Sequence, residues 1–499
     1  MDAFARQPSG SEPSASEQST RQAPLTHRDA RLVVLGVLLP TFMGSLDQTI
    51  LANALPTIGR DLGDIHNLPW LITAYLLAST AAMPLYGKIA DIHGRRLTLR
   101  IAILTYMAGS LLCALAPNML VLISGRVLHG LGGGGLTSMG MVVLGDLVAP
   151  KERGRYYGYF AVTYTSAGGA GPLVGGLISD HLHWSVIFWI NIPMGLAALT
   201  LTTFLLRRLP RYERRHYLDF LGAALIVVAS ISFMLALNLA GARYGWTSLP
   251  ILTLFAAALA VGVLFVLRLM TAPEPLIPLS ILRNPIVRQA IIANTCGWGS
   301  IIGLNVLLPI YLQAVMGLSP TQAGLSLMVF LVAMNSTAGL AGQVLGRVRH
   351  YKRLPMIMLT LAVTAVTTLA VCADRLTPLT FQLLLIAVGA GFGPIPSFTA
   401  VAMQNVVARH QLGIAVGTMN FSRNLYATML IAIFSAMVLA GAPGGGDSLR
   451  SALTAGAVDG AHGFAGVFFV AAASFFIALI AIVLMEEKPL QTDADIAAK

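Results

Sequence analysis

This chain is short of charge. Asp, Glu, Lys and Arg together make up 11% of its 499 residues, against about 25% in soluble proteins. A water-soluble fold is excluded on that ground, because too few polar side chains exist to cover its surface. Cysteine is scarce as well. Cys113, Cys296 and Cys372 all fall within apolar runs and follow no metal or redox spacing, so they read as small core filling. No Walker-type phosphate loop occurs, which excludes ATP as the energy source. Within the apolar runs there is no HExxH, no Ser/His pair and no cluster of carboxylates, which argues against an enzyme. No sizeable polar domain is present, which argues against a sensor; the longest outer loop, 441–462, is small and Gly-rich. Neither a cofactor nor a metal site is expected.

What is present is oil. Hydrophobic residues make up 56% of the chain and the mean hydropathy is +0.75. Apolar runs of about 20 residues, the length that crosses a bilayer, recur from end to end. Fourteen are read, at 31–54, 68–90, 98–117, 119–144, 156–180, 184–206, 219–240, 249–270, 286–315, 321–346, 355–373, 378–405, 411–440 and 463–485. The expected class is an all-α polytopic membrane protein embedded in the lipid bilayer.

Orientation follows from the basic residues. With the N-terminus inside, cytoplasmic segments hold 26 of the 32 Lys and Arg; the outer loops hold only Arg60, Arg243, Arg375 and Arg450, and Arg126 and Arg423 lie within spans. Both termini are thus expected in the cytoplasm. The formal charge of +11 marks the cytoplasmic face and does not call for nucleic acid. Residues 1–28 are polar and Ser-rich and read as a disordered cytoplasmic tail, not a signal peptide, since no apolar core is present. The expected division is a first six-helix bundle at 29–208, a basic linker with two additional helices at 209–283, a second six-helix bundle at 284–485, and a cytoplasmic tail at 486–499. Weak internal repetition supports two halves: GKIADIHGRRLTLR (87–100) and GQVLGRVRHYKRL (342–354) each join a glycine to a basic cluster at a tight turn. Duplicated halves around a central path are the build of secondary transporters.

Asp47 is the one acidic residue placed well inside a span. A carboxylate at the bilayer centre costs roughly 2.5–3.5 kcal/mol, so its default reading is functional. Binding a proton or pairing with a cation lowers that cost, and alternation between those states is what proton coupling requires. At 1.5 Å per residue Asp47 lies about 6 Å below the outer end of span one and Arg126 about 10 Å below the outer surface, so a pair is geometrically allowed. The other reading is a hydrogen-bonded structural acid, with Arg126 satisfied by backbone carbonyls. His129 shares a helix face with Arg126 at spacing i, i+3. It reads either as a second titratable site or as a neutral hydrogen-bonding group. In the loop after span two, Gly87 permits close helix approach, Asp91 ends the span, and Arg95 and Arg96 follow a turn at Gly94. A carboxylate at a helix end beside arginines suits a breakable latch; a plain basic anchor is the alternative.

Taken in order, several stretches resemble the major facilitator superfamily, and most nearly its fourteen-spanner drug:proton antiporter branch, the EmrB/QacA-like exporters. SLDQTILANALPTIGRDLG (45–63) resembles the first-span signature of that branch and 87–100 the loop motif. RVLHGLGGGG (126–135) resembles the span-four motif and GGAGPLVGGL (168–177) the span-five antiporter motif. HWSVIFWINIPMG (183–195), LLPIYLQAVMGLSPTQAGL (307–325) and QLGIAVGTMNFSRN (411–424) are also typical. The likeness covers roughly residues 30–485. It implies that spans one and four are neighbours and that the Gly87–Arg96 latch holds the outward-open state. His129 departs from the pattern, which more often has glutamine.

Gly171, Pro172, Gly175 and Gly176 in span five read as a pliable seam that closes against the opposite half, or as simple tight helix packing, and the two readings overlap. Phe42, Met43, Gln48, Tyr164, Asn305, Gln313, Asn420 and Arg423 are candidates for the substrate cavity. No carboxylate stands in the middle of any later span, unlike relatives that handle dicationic compounds. The expected function is proton-driven export of amphiphilic small molecules from a bacterial cytoplasmic membrane. Transport of one metabolite, siderophore or amino-acid derivative on the same fold is the alternative. Some relatives in double-membrane bacteria work with a periplasmic adaptor, but no residue here signals one.

Overall fold

A computed structural model describes residues 27–51, 54–64, 67–206, 218–240, 243–345, 347–348, 350–373, 376–440 and 460–491. Residues 1–26 of the expected tail 1–28, most of the basic stretch 207–220, residues 441–459 of the expected loop 441–462 and residues 492–499 of the tail 486–499 lie outside the described residues. Residues 27–28 and 460–462 are helical, a correction to those two boundaries. Among the described residues every regular element is helical, and strand pairing is limited to one isolated bridge between Ala240 and Tyr244.

The first helices are α1 (His27–Ile50), the short α2 (Leu55–Leu62), α3 (Pro69–His93), α4 (Arg95–Ala114), α5 (Met119–Leu147) and α6 (Pro150–His181). Their boundaries have local causes. Gly63 closes α2 at φ 71° and Gly94 turns the chain between α3 and α4 at φ 83°, left-handed positions suited to glycine. Asn118 caps α5 by accepting from the Val121 amide at 3.0 Å. Proline opens α6, where its missing N–H costs nothing. The chain continues through α7 (Val186–Trp189), α8 (Asn191–Leu205), α9 (Phe220–Leu239) and α10 (Leu249–Thr271). Asp219 caps α9 and also pairs with Arg268 of α10 at 3.1 Å, tying those two helices together.

The second series runs α11 (Leu279–Arg283), α12 (Pro285–Ala314), α13 (Pro320–Leu345), α14 (Arg353–Val371), α15 (Pro378–Phe392), α16 (Pro394–Val406), α17 (Leu412–Ala440) and α18 (Gly460–Leu484). Gly393 and Pro394 break what would be one helix into α15 and α16. Twelve helical segments among the described residues are long and apolar enough to cross a membrane. The helices α3 and α6, 25 and 32 residues long, are not among the twelve and carry more small and polar residues.

Packing sorts these helices into two sets. In the first, α5 lies between α3 and α4, and α1 packs on α5, α6 and α8. In the second, α12 packs on α16, α17 and α18, while α15 joins α13 to α14. The sets meet along α3 with α17 and α6 with α13, and α9 touches both α3 and α17. The contact is closest at one end. There Gly87 abuts the Gly413 carbonyl and Gly154 the Gly342 carbonyl, so neither position has room for a Cβ atom. Further along, a Cβ on Gly158 would stand 3.8 Å from Gly339, and at Gly168, Gly169 and Gly324 it would meet nothing within 4 Å.

Candidate functional site

Three helices of the first set bring Asp47 (α1), Arg126 (α5) and the start of α3 together. The guanidinium Nη1 of Arg126 donates to both Asp47 oxygens, at 2.9 and 2.8 Å. Its Nε donates to the Leu71 carbonyl at 2.9 Å, and the Tyr75 ring lies 4.4 Å from its centre. Asp47 is 1% exposed and Arg126 2%. Both features weighed from the sequence therefore occur at once: Arg126 is paired with the acid and also bonded to a carbonyl. Nearby, the Tyr106 hydroxyl donates to the Met43 carbonyl at 3.0 Å, holding α4 to α1.

His129 completes this centre. Its Nδ1 stands 3.1 Å from Arg126 Nη1. A guanidinium can only donate, so a hydrogen bond between the two has Nδ1 as acceptor; the same nitrogen stands 3.6 Å from Asp47 Oδ1. Tyr106 packs on the imidazole at 4.0 Å between ring centroids, and Tyr75 meets its edge at 5.7 Å. This geometry favours a neutral hydrogen-bonding group over a charged one.

A second charge cluster occupies the end where the two sets touch. Asp91, near the end of α3, accepts from the Gly413 and Ile414 amides at 3.0 and 2.9 Å. Those amides open α17, and a helix start with free N–H groups favours an anion. Arg95 pairs with Asp91 at 3.0 Å and with Asp146 through its Nε, and its Nη2 donates to the Arg409 carbonyl at 2.8 Å. Gly87 and Gly94 serve the approach and the turn. Arg96, next in the chain, is half-buried.

Two parts of this cluster were missed by sequence reading. Asp146 sits at the last turn of α5, where an acid looks like any surface group. The residues after α18 also cross this end: Asn405 donates to the Pro489 carbonyl at 3.0 Å, and the Lys151 amide to the Gln491 carbonyl at 3.4 Å. The Tyr351 hydroxyl donates to the Lys488 carbonyl at 2.8 Å. The start of the expected tail is thus a strap that contacts both sets.

The span-five glycines need a correction. Gly171 abuts Thr49 and Gly175 the Ile50 carbonyl, so this face packs on α1 of the same set rather than closing against the opposite one. Gly176 is half-buried, and the Pro172 side chain lies outside the described residues. The cavity candidates also divide. Met43 and Asn420 are buried in the core, Gln48 and Gln313 are exposed, and Phe42, Tyr164, Asn305 and Arg423 are half-buried. Asn305 is satisfied within its own helix, donating to the Ile301 carbonyl at 2.9 Å. Met43 is excluded from any cavity wall, since none of its side chain is accessible.

Comparison with known proteins places this geometry. Residues 37–432 match the Major Facilitator Superfamily, and the chain belongs to that family. It is 32% identical over 414 residues to the multidrug transporter protein MdtP of Bacillus subtilis, covering 82% of this chain and 75% of that one. It is 31% identical over 441 residues to the efflux pump FUS6 of Gibberella moniliformis, covering 85% and 77%. Among solved structures the proton:xylose symporter XylE shares the fold, with a TM-score of 0.64, 13% identity and coverage of 95% and 99%. The protein is a multi-pass membrane transporter and not an enzyme.

Proposed function

We propose that the chain is a proton-coupled exporter of amphiphilic small molecules that works by alternating access, with Asp47 as the proton site. The buried Asp47–Arg126 pair is the observation that carries this reading. As a static element a buried ion pair is often replaceable by packed hydrophobes, and a register or switch role is the best-attested reason to keep one. Protonation of Asp47 releases Arg126 from its counter-ion and favours one arrangement of the two sets; proton loss favours the other. His129 acts as a neutral acceptor for Arg126. Gly87, Asp91, Gly94 and Arg95 hold the cytoplasmic end closed, and the arrangement described is outward-facing.

In this reading α3 and α6 also span, giving fourteen spans, both termini lie in the cytoplasm, and α9 and α10 are additions between two six-helix bundles. The relatives named as a multidrug transporter and an efflux pump support export, and the distribution of basic residues supports the orientation with both termini inside. One proton moving inward down 100 mV supplies about 2.3 kcal/mol, and each pH unit about 1.4. Those sums sustain tens- to hundreds-fold accumulation. The test is Asp47→Asn in proteoliposomes under an imposed pH gradient. Asparagine keeps an acceptor for Arg126 and cannot titrate, so gradient-driven transport should vanish from a protein that still folds. Full activity would end the mechanism.

A further inference from the structure

The second set of helices holds a cation that the proton mechanism does not use. From 285 to 484 the only acidic residues in the sequence are Asp374, Asp447 and Asp459, all three outside the described residues. Arg423 stands eleven residues into α17, about 17 Å from its start at 1.5 Å per residue. It cannot shed its charge by losing a proton. The carboxylates that the first set keeps in its interior, Asp47, Asp91 and Asp146, are taken up by Arg126 and Arg95.

Arg423 has no carboxylate among the described residues. Its Nε donates to Asn424 Oδ1 at 3.3 Å, and its guanidinium lies 5.4 Å from the Trp298 ring centre. Its other N–H groups find no partner among the described residues, and the side chain is half-buried rather than sealed. Tyr164, from α6 of the first set, lies within electrostatic range of it. Its neighbour Asn424 donates to Thr80 of α3 at 3.4 Å. Arg423 therefore sits beside the boundary between the two sets, ten residues further along α17 than the close contact of Gly413 with Gly87.

We infer that this site selects amphiphiles with an anionic head group over cationic ones, the head taken by Arg423 and the apolar body by Trp298 and Tyr164. An ionisable residue inside a membrane protein marks a substrate or ion path by default. The planar guanidinium fork matches carboxylate and phosphate geometry, and aromatic faces suit the attached ring system. The inference rests on the exporter reading and adds the sign of the substrate's charge.

The probes are dansylglycine, a carboxylate; dansylglycinamide, its neutral amide; and dansylcadaverine, an ammonium. Binding to the purified full-length protein should favour dansylglycine over the amide by at least about tenfold, as a charge-assisted hydrogen bond implies. Arg423→Gln should erase that preference, and Arg423→Lys should keep part of it. Equal or tighter binding of dansylcadaverine by the wild type overturns the inference without any variant. So does undiminished dansylglycine binding by a folded Arg423→Gln protein. Proteoliposome transport separates this from the parent reading. Arg423-dependent dansylglycine binding with no gradient-driven movement of any probe sinks the exporter and leaves the site. Gradient-driven movement of dansylcadaverine alone sinks the site and leaves the exporter.

Discussion

The two buried charge clusters of the first set differ in what they hold. Asp47 and Arg126 join α1, α3 and α5 within one set and make no bond to the other. Asp91 and Arg95 reach across the boundary, to the amides that open α17 and to the Arg409 carbonyl. One is a sealed centre and the other a clasp. A proton taken up at the first therefore breaks no contact between the sets directly. What the two share is α3. Leu71 and Tyr75 contact Arg126 at one end, and Asp91 closes the clasp at the other, twenty residues and about 30 Å away. If the centre drives the clasp, movement of α3 as a rigid element is the shortest physical route, since coupling needs an element with two arrangements that both sites bias.

The largest effects should come from the centre. Arg126→Met leaves Asp47 buried without its cation, and breaking a buried pair in this way costs about 3–5 kcal/mol. The combined change Asp47→Leu with Arg126→Met removes both charges and should recover most of that stability while remaining inactive in transport. Denaturant unfolding in detergent at pH 8 measures both. A double variant as unstable as the single one would mean that packing, not charge, fixes this region, and the contrast with the clasp would lose its basis.

Next comes the clasp. Gly87→Ala puts a methyl group against the Gly413 carbonyl. Overpacking of this kind costs about 1–3 kcal/mol, and here the cost falls only on the arrangement in which α3 and α17 touch. The closed end should be depopulated by roughly ten- to a hundredfold, at about 1.4 kcal/mol per factor of ten. Labelling rates of single cysteines introduced at that end would rise accordingly. Global unfolding should barely change, because the opened arrangement accommodates the methyl. A variant that loses stability without gaining accessibility would show that Gly87 serves static packing.

How far the chain announced all this varies by residue, for physical reasons. Asp47 and Arg126 were legible because a charge within an apolar run is expensive, and the helix rise alone set them at matching depth. The clasp was half legible. Asp91 and Arg95 flank a glycine turn, but their partners at Gly413 and Ile414 are backbone amides, which carry no sequence signature. Asp146 was passed over because acids at helix ends are ordinary. Gly171 and Gly175 announced a close contact without announcing with what. Small size is read from a sequence, and a neighbour is not. The strap formed by Pro489–Gln491 was invisible because short polar segments after a last helix look alike whether docked or free.

Smaller effects test the supporting role of His129. In the proposed reading His129 serves only as a hydrogen-bond acceptor for Arg126. His129→Gln presents an amide oxygen in its place and should leave the pH midpoint of transport unmoved. His129→Leu removes the acceptor and should cost about 1 kcal/mol, the typical worth of one hydrogen bond, again without moving the midpoint. A shifted midpoint in the glutamine variant would make the histidine a second proton site and enlarge the centre.

The smallest effect lies outside both clusters. Asp61 on α2 accepts from Trp184 Nε1 at 2.6 Å and stands 3.2 Å from His183 Nε2. The Trp184 hydrogen bond, aided by His183, holds its carboxyl below the usual carboxylate value. A depressed folded value means stability that is present above the unfolded pKa, about 3.9, and lost as pH falls through the folded one. Asp61→Asn should therefore cost under about 1 kcal/mol at pH 7, in keeping with an exposed pair. The gap to wild type should then close as the solution is acidified below the unfolded value. Transport at neutral pH should be unchanged, because the partners of Asp61, Trp184 and His183, belong to neither the centre nor the clasp. A transport defect in this variant would tie the α2 end of the molecule into the cycle, and α3, which begins seven residues after α2 ends, would be the element that carries it.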